Sequence, residues 1–118
     1  MSAPLRIGLA GLGTVGAGVV RLVEAHEAGL AVRAGRPVEI IAVSARSRHR
    51  DRGVDLARYA WEDDPVVLAH RGDVDLVVEV IGGENGPAKA TAEAAIAAGK
   101  HLVTANKAML ALHGQALA

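Results

Sequence analysis

The chain has 118 residues, no cysteine, and 13 basic side chains against 13 acidic ones. Neutrality removes any global field toward nucleic acid or a membrane surface, and the lack of cysteine excludes disulfides, thiolate metal sites and cysteine nucleophiles. The length suits one domain; with aromatics at 2% and 24 alanines, its core is expected to be aliphatic and small-residue, with no aromatic platform for single-stranded nucleic acid.

Leu5–Ala10 reads as a short strand running into a glycine-rich turn. From Thr14 the period changes. Val15, Val19, Leu22 and Val23 fall at i, i+4, i+7 and i+8, which predicts a helix to about His26 and a further turn or two through Ala34. Gly35-Arg36-Pro37 stops it. Val38–Val43 is β-branched and apolar, a strand expected to be buried on both faces. Residues 44–58 then carry five arginines against two aspartates, and 61–79 hold six acidic residues against Arg71.

Tyr59–Trp61 is expected to form a short strand, and Asp64-Pro65 an N-cap followed by proline at the first helical position. Asp75–Ile81 is the next strong strand. Pro87–Ala98 is an alanine-rich helix with Gly99 as its stop, followed by a strand over His101–Thr104 and another helix from Ala108. This alternation implies an α/β fold, a Rossmann-type parallel sheet with helices on both faces. The last helix runs to Ala118 without a cap, so the expectation is a truncated nucleotide-binding domain from a longer protein.

Gly11-Leu12-Gly13-Thr14-Val15-Gly16 matches G-x-G-x-x-G between a predicted strand and a predicted helix. Gly11 permits the tight turn, Gly13 lets a pyrophosphate approach the backbone, and Gly16 lets helix and strand pack closely. The N–H groups of Gly13 to Val15 and the positive helix end would hold the phosphates. An NAD-type site places a carboxylate at the tip of the second strand. Here Ser44-Ala45-Arg46 follow Val43, and no carboxylate occurs before Asp51. Arg46, with Ser44 and Arg48 nearby, suits a ribose 2′-phosphate. NADP is therefore the expected cofactor, with NAD as the alternative, whereas Arg48, Arg50 and Arg52 also fit a solvated basic loop.

Ligands of open parallel sheets collect beyond the carboxyl ends of the strands. Gly82 and Gly83 follow one such strand and either admit a nicotinamide-ribose face or form an ordinary loop. Lys107, in Thr104-Ala105-Asn106-Lys107 after the next strand, would aim an ammonium into the same crevice, to bind an anionic substrate, polarise a carbonyl or take part in proton transfer. The five histidines show no metal-ligand spacing, and Asp63-Asp64 reads as capping rather than acid–base chemistry. With no apolar run near a membrane span and no secretory pattern in the first residues, a soluble cytoplasmic protein is expected.

GLGTVG at 11–16, EVIGG at 79–83 and VTANKA at 103–108, in this order and spacing, resemble the amino-terminal part of homoserine dehydrogenase, and RGVDL (52–56), WEDDP (61–65) and PAKA (87–90) extend the likeness over nearly the whole chain. The resemblance implies an NAD(P)-dependent oxidoreductase interconverting L-homoserine and L-aspartate 4-semialdehyde, on the shared route to threonine and methionine. Gly11 to Gly16 would bind the pyrophosphate and Arg46 the 2′-phosphate; Gly82, Thr104 and Asn106 would shape the nicotinamide side of the site, with Lys107 as the catalytic residue beside substrate. The family's acid–base aspartate and second lysine lie in a later substrate and dimerisation domain. Residues 1–118 are thus expected to be the cofactor-binding piece of a homo-oligomer, inactive alone and prone to self-associate through an exposed sheet edge. A nucleotide-sensing module, or a dehydrogenase for another small aldehyde or amino acid, are the alternatives.

Overall fold

The computed structural model describes residues 3–46, 52–81 and 86–104. Their elements run β1 (Leu5–Ala10), α1 (Thr14–Ala25), α2 (Glu27–Ala34), β2 (Val38–Ser44), β3 (Ala60–Glu62), α3 (Pro65–Ala69), β4 (Leu76–Glu79), α4 (Pro87–Ala97) and β5 (His101–Thr104). The strands pair in parallel throughout, in the order β3-β2-β1-β4-β5. This is the expected α/β sheet. The helix predicted from Ala108 lies outside the described residues.

From β1 the chain steps first toward β2 and later, on the opposite side, to β4. Right-handed crossovers therefore send the connecting helices to opposite faces. On one face α1 brings Val20 against Leu9 and Val43; on the other, Leu68 of α3 and Ala94 and Ala95 of α4 cover Ala10, Ala42 and Val77. Alanine suits this second layer because a small side chain lets a helix lie close to the strands. Each fully buried leucine or valine contributes on the order of 2 kcal/mol, and Leu9, Leu68, Val20, Val43 and Val77 are all fully buried.

The face of α1 differs from the one its periodicity predicts. Gly16, Ala17 and Val20 are buried, Val19 and Val23 half-buried, and Val15 and Leu22 exposed. The close approach of Gly16 to the turn before it rotates the small-residue side inward. The second strand is buried on both faces, as expected, but its alternation is broken by a bulge. Its register with β1 shifts between Ile7 and Gly8, so Ile7 faces Ile40 while Gly8 faces Ala42. Ile40 packs with Val43 on the α1 side, whereas Ile41 and Ala42 both pack toward α3 and α4. The bulge resets the alternation one residue later, and it brings Ser44 level with Ala10 at the end of the sheet.

At the opposite end of the sheet, Asp75 joins β1 to β4. Its Oδ2 accepts from the Arg6 main-chain N–H at 3.0 Å and from Arg6 Nε at 3.2 Å, and Oδ1 accepts from a terminal guanidinium nitrogen at 3.1 Å. These donors hold the Asp75 carboxyl below its ordinary value, and Arg71 does the same to Asp73. A carboxylate depressed in the folded state stabilises above its unfolded value of 3.8 and loses that contribution as pH falls through the folded one. Acid titration of Asp75→Asn, followed by circular dichroism, should accordingly show a shallower loss of stability below about pH 4 than the parent.

Strand β5 is an outer strand of the sheet, with Val103 exposed on it. Among the described residues no helix is long and apolar enough to cross a membrane.

Candidate dinucleotide-binding site

In an all-parallel sheet every crossover delivers its helix N-terminus to the edge where the strands end. Three N-termini meet there. Between them lies a cleft of about 720 Å³, ample for much of a nucleotide.

Its floor is the turn between β1 and α1. Gly11 has φ 104°, a conformation that L side chains rarely adopt, and a Cβ there would meet the Val80 backbone at 2.9 Å. The Gly11 N–H donates to the Ser44 carbonyl at 2.8 Å, tying the ends of β1 and β2 together. Gly13 is the N-cap of α1 and lends no side chain to it; a Cβ built on Gly13 meets nothing within 4 Å. Thr14 and Val15 form the exposed first turn of the helix, and Leu12 is buried beneath, packed with Val20 and Val43. Gly16 approaches the Gly11 carbonyl so closely that a Cβ would sit 2.0 Å from its oxygen. One glycine therefore turns the chain, one leaves space open, and one permits contact.

At the tip of β2, Ser44 is only 1% exposed, and its hydroxyl finds no partner among the described residues. A buried hydroxyl without a partner is costly, and Ser44 is one of the residues that line the cleft. Arg46 lines the same cleft and is exposed. No carboxylate stands at this tip in the described chain.

The facing wall is α3, whose position at the site sequence reading missed. Asp64 caps it, Oδ1 accepting from the Val66 N–H at 2.9 Å, as the Asp-Pro pair predicted. Capping is what sets this helix end at the cleft, so Asp63, Asp64, Pro65 and Val66 line it. Arg52 lines it as well, contrary to its reading as part of a solvated loop. Its guanidinium stands over the Trp61 ring, 5.6 Å from the centroid, and donates to the Arg46 carbonyl.

Val80, Ile81 and Pro87 close the remaining side. Behind them Glu79 is fully buried; its Oε1 accepts from the Ile81 N–H at 2.7 Å, and its Oε2 accepts from the Thr104 hydroxyl. Thr104 thus stands at the end of β5 and reaches the cleft wall through Glu79 rather than lining it. Gly82, Asn106 and Lys107 lie outside the described residues.

An open cradle at Gly13, a helix N-terminus above it and a Ser44 hydroxyl without a partner among the described residues fit a dinucleotide. The sequence profile of the homoserine dehydrogenase NAD-binding domain matches residues 11–118. The chain belongs to this family. Homoserine dehydrogenase from Corynebacterium glutamicum is 46% identical over 114 residues, covering 95% of the chain and 25% of that protein. The enzyme from Bacillus subtilis is 38% identical over 113 residues, covering 96% of the chain and 26% of the relative. Among solved structures, a homoserine dehydrogenase from Thiobacillus denitrificans superposes with a TM-score of 0.88 at 33% identity, over 98% of this chain and 26% of that one. A homoserine dehydrogenase from S. aureus gives 0.87 at 31% identity, over 99% and 30%. The chain thus spans about a quarter of the curated relatives' length.

The family is named for its NAD-binding domain, which supports a nicotinamide cofactor, and the three glycines of the turn form the floor of the cleft. The cap of α3 was legible, but its place at the cleft, like that of Arg52, carries no local signal. Only the return of the chain after β2, and the placement of β3 beside it, brings them to the cleft.

Proposed function

We propose that the cleft binds NADP in preference to NAD, and that the whole protein interconverts L-homoserine and L-aspartate 4-semialdehyde by hydride transfer on the route to threonine and methionine. The observation that carries the cofactor reading is the buried Ser44 hydroxyl, without a partner among the described residues, beside Arg46 on a strand tip where the described residues hold no carboxylate. A 2′-phosphate offers acceptor oxygens to both, and a planar guanidinium meets it with two parallel hydrogen bonds. When bound, the nicotinamide supplies the hydride chemistry. This chain's residues bind the diphosphate at Gly11 to Gly16, select the ribose at Ser44 and Arg46, and close the cleft wall through Glu79 and Thr104. In the same proposal Gly82 and Asn106 belong to the nicotinamide side, and Lys107 contributes an ammonium toward the substrate carbonyl. The remaining catalytic groups belong to the part of the relatives that this chain does not span, so residues 1–118 alone should bind cofactor without turnover.

Fluorescence titration decides the cofactor. NADPH should bind at least about tenfold more tightly than NADH, and Arg46→Glu should reverse that order. Equal affinities in the parent chain, or an unchanged order in the variant, contradict the assignment. For the activity, the intact protein should reduce NADP when supplied with L-homoserine. Cofactor binding without that turnover would favour a nucleotide-sensing module.

A further inference from the structure

Beside Ser44 and Arg46, the cleft is lined by a further arginine that holds protein groups. Arg52 donates from its guanidinium to the main-chain carbonyl of Arg46, six positions earlier in sequence. Its charge rests over the indole of Trp61, 5.6 Å from the ring centroid. The indole is itself fixed, its Nε1–H donating to Asp63 Oδ1 at 2.8 Å, and Trp61 is held in the sheet opposite Val43. From the other side, Arg21 of α1 donates to the Arg52 carbonyl at 3.4 Å. Arg46, Arg52 and Asp63 all line the cleft.

We propose that Arg52 is a positioning residue for cofactor selection: clamped between the Trp61 ring and the Arg46 carbonyl, it holds the Arg46 backbone where that side chain meets a ribose 2′-phosphate. The inference rests on the NADP reading above and adds to it a group that acts through another. The physical reason is the exposure of Arg46. A long exposed side chain loses rotamer freedom when it binds, and an unanchored main chain would add to that cost. Tying the Arg46 carbonyl to a guanidinium held over an aromatic face removes the backbone part of it in advance. Reaching the carbonyl from over the ring calls for several donors in fixed directions, which arginine has and lysine lacks.

The roles separate in their effect on two ligands. In the intact protein, Arg52→Ala should weaken NADPH binding about tenfold or more while changing NADH binding by less than about twofold. NADH is the control for folding, because it uses the same glycine turn and lacks the 2′-phosphate. Arg52→Lys, which restores the charge without the fixed fork of donors, should recover only part of the loss. Equal weakening of both ligands by Arg52→Ala would mean a structural prop and would overturn the proposal, as would an unaltered NADPH affinity. Full recovery in Arg52→Lys would overturn the clamp and leave only charge. A parent protein that fails to prefer NADPH sinks the cofactor reading and this inference together, whereas a parental preference that survives Arg52→Ala sinks this inference alone.

Discussion

Gly16→Val is expected to destabilise the fold by about 3 kcal/mol, the upper end of ordinary overpacking. The first atom added is the damaging one. A Cβ at this position lies 2.0 Å from the Gly11 carbonyl oxygen and 2.8 Å from its carbon, and both obstacles are backbone. Neither can rotate aside. The Gly11 N–H is bonded to Ser44, and the Ala10 carbonyl accepts from the Val80 N–H at 2.9 Å, so the turn is pinned to both neighbouring strand ends. To admit the valine, α1 must lift from the sheet and expose its own Val20, which is fully buried against Leu9 and Val43. Denaturant unfolding should show a lower midpoint without an altered slope, and the melting temperature should fall by roughly 10 °C or more. A midpoint like the parent's would mean that the helix does not pack here as described.

Gly13→Val is expected to do the reverse, leaving the fold and removing the ligand. The residue sits at φ −72°, where any amino acid is comfortable, and its Cβ would meet no atom within 4 Å. It contributes no side-chain cap to α1, so no cap is lost. The stability cost should stay below about 1 kcal/mol, the difference between glycine and a β-branched residue at an N-cap. That empty space is where a diphosphate must approach the helix N-terminus, and two methyl groups would occupy it. NADPH affinity should fall at least about a hundredfold, read by fluorescence titration beside a thermal melt. Retained binding in a folded Gly13→Val protein would place the diphosphate elsewhere. The contrast with Gly16 is the informative part: two glycines of one motif, three residues apart, fail in different assays.

Local chemistry made much of this legible from sequence. The glycine turn, the Asp64 cap, the alanine-rich helix ending before Gly99 and the strand over His101–Thr104 all depend on neighbours within a few residues, and each is found where its chemistry predicts. The face of α1 was misjudged because apolar periodicity rewards large side chains, and here the inward side is set by glycine and alanine. The buried carboxylate of Glu79 was likewise hidden. In a run of β-branched residues it reads as a strand residue, and only the pairing of β4 with β5 supplies the Thr104 hydroxyl that donates to it.

The sequence by itself determined the parallel α/β architecture, the family and the glycine cradle, since each follows from periodicity or from a motif whose residues are adjacent. Only the tertiary structure decided the bulge in β2, the burial of the Ser44 hydroxyl and the arrival of Arg52 and the α3 N-terminus at the cleft. A bulge is a choice between registers, and burial depends on several elements at once. Both are properties of strands and helices brought together from distant parts of the chain, and no local pattern of residues encodes them.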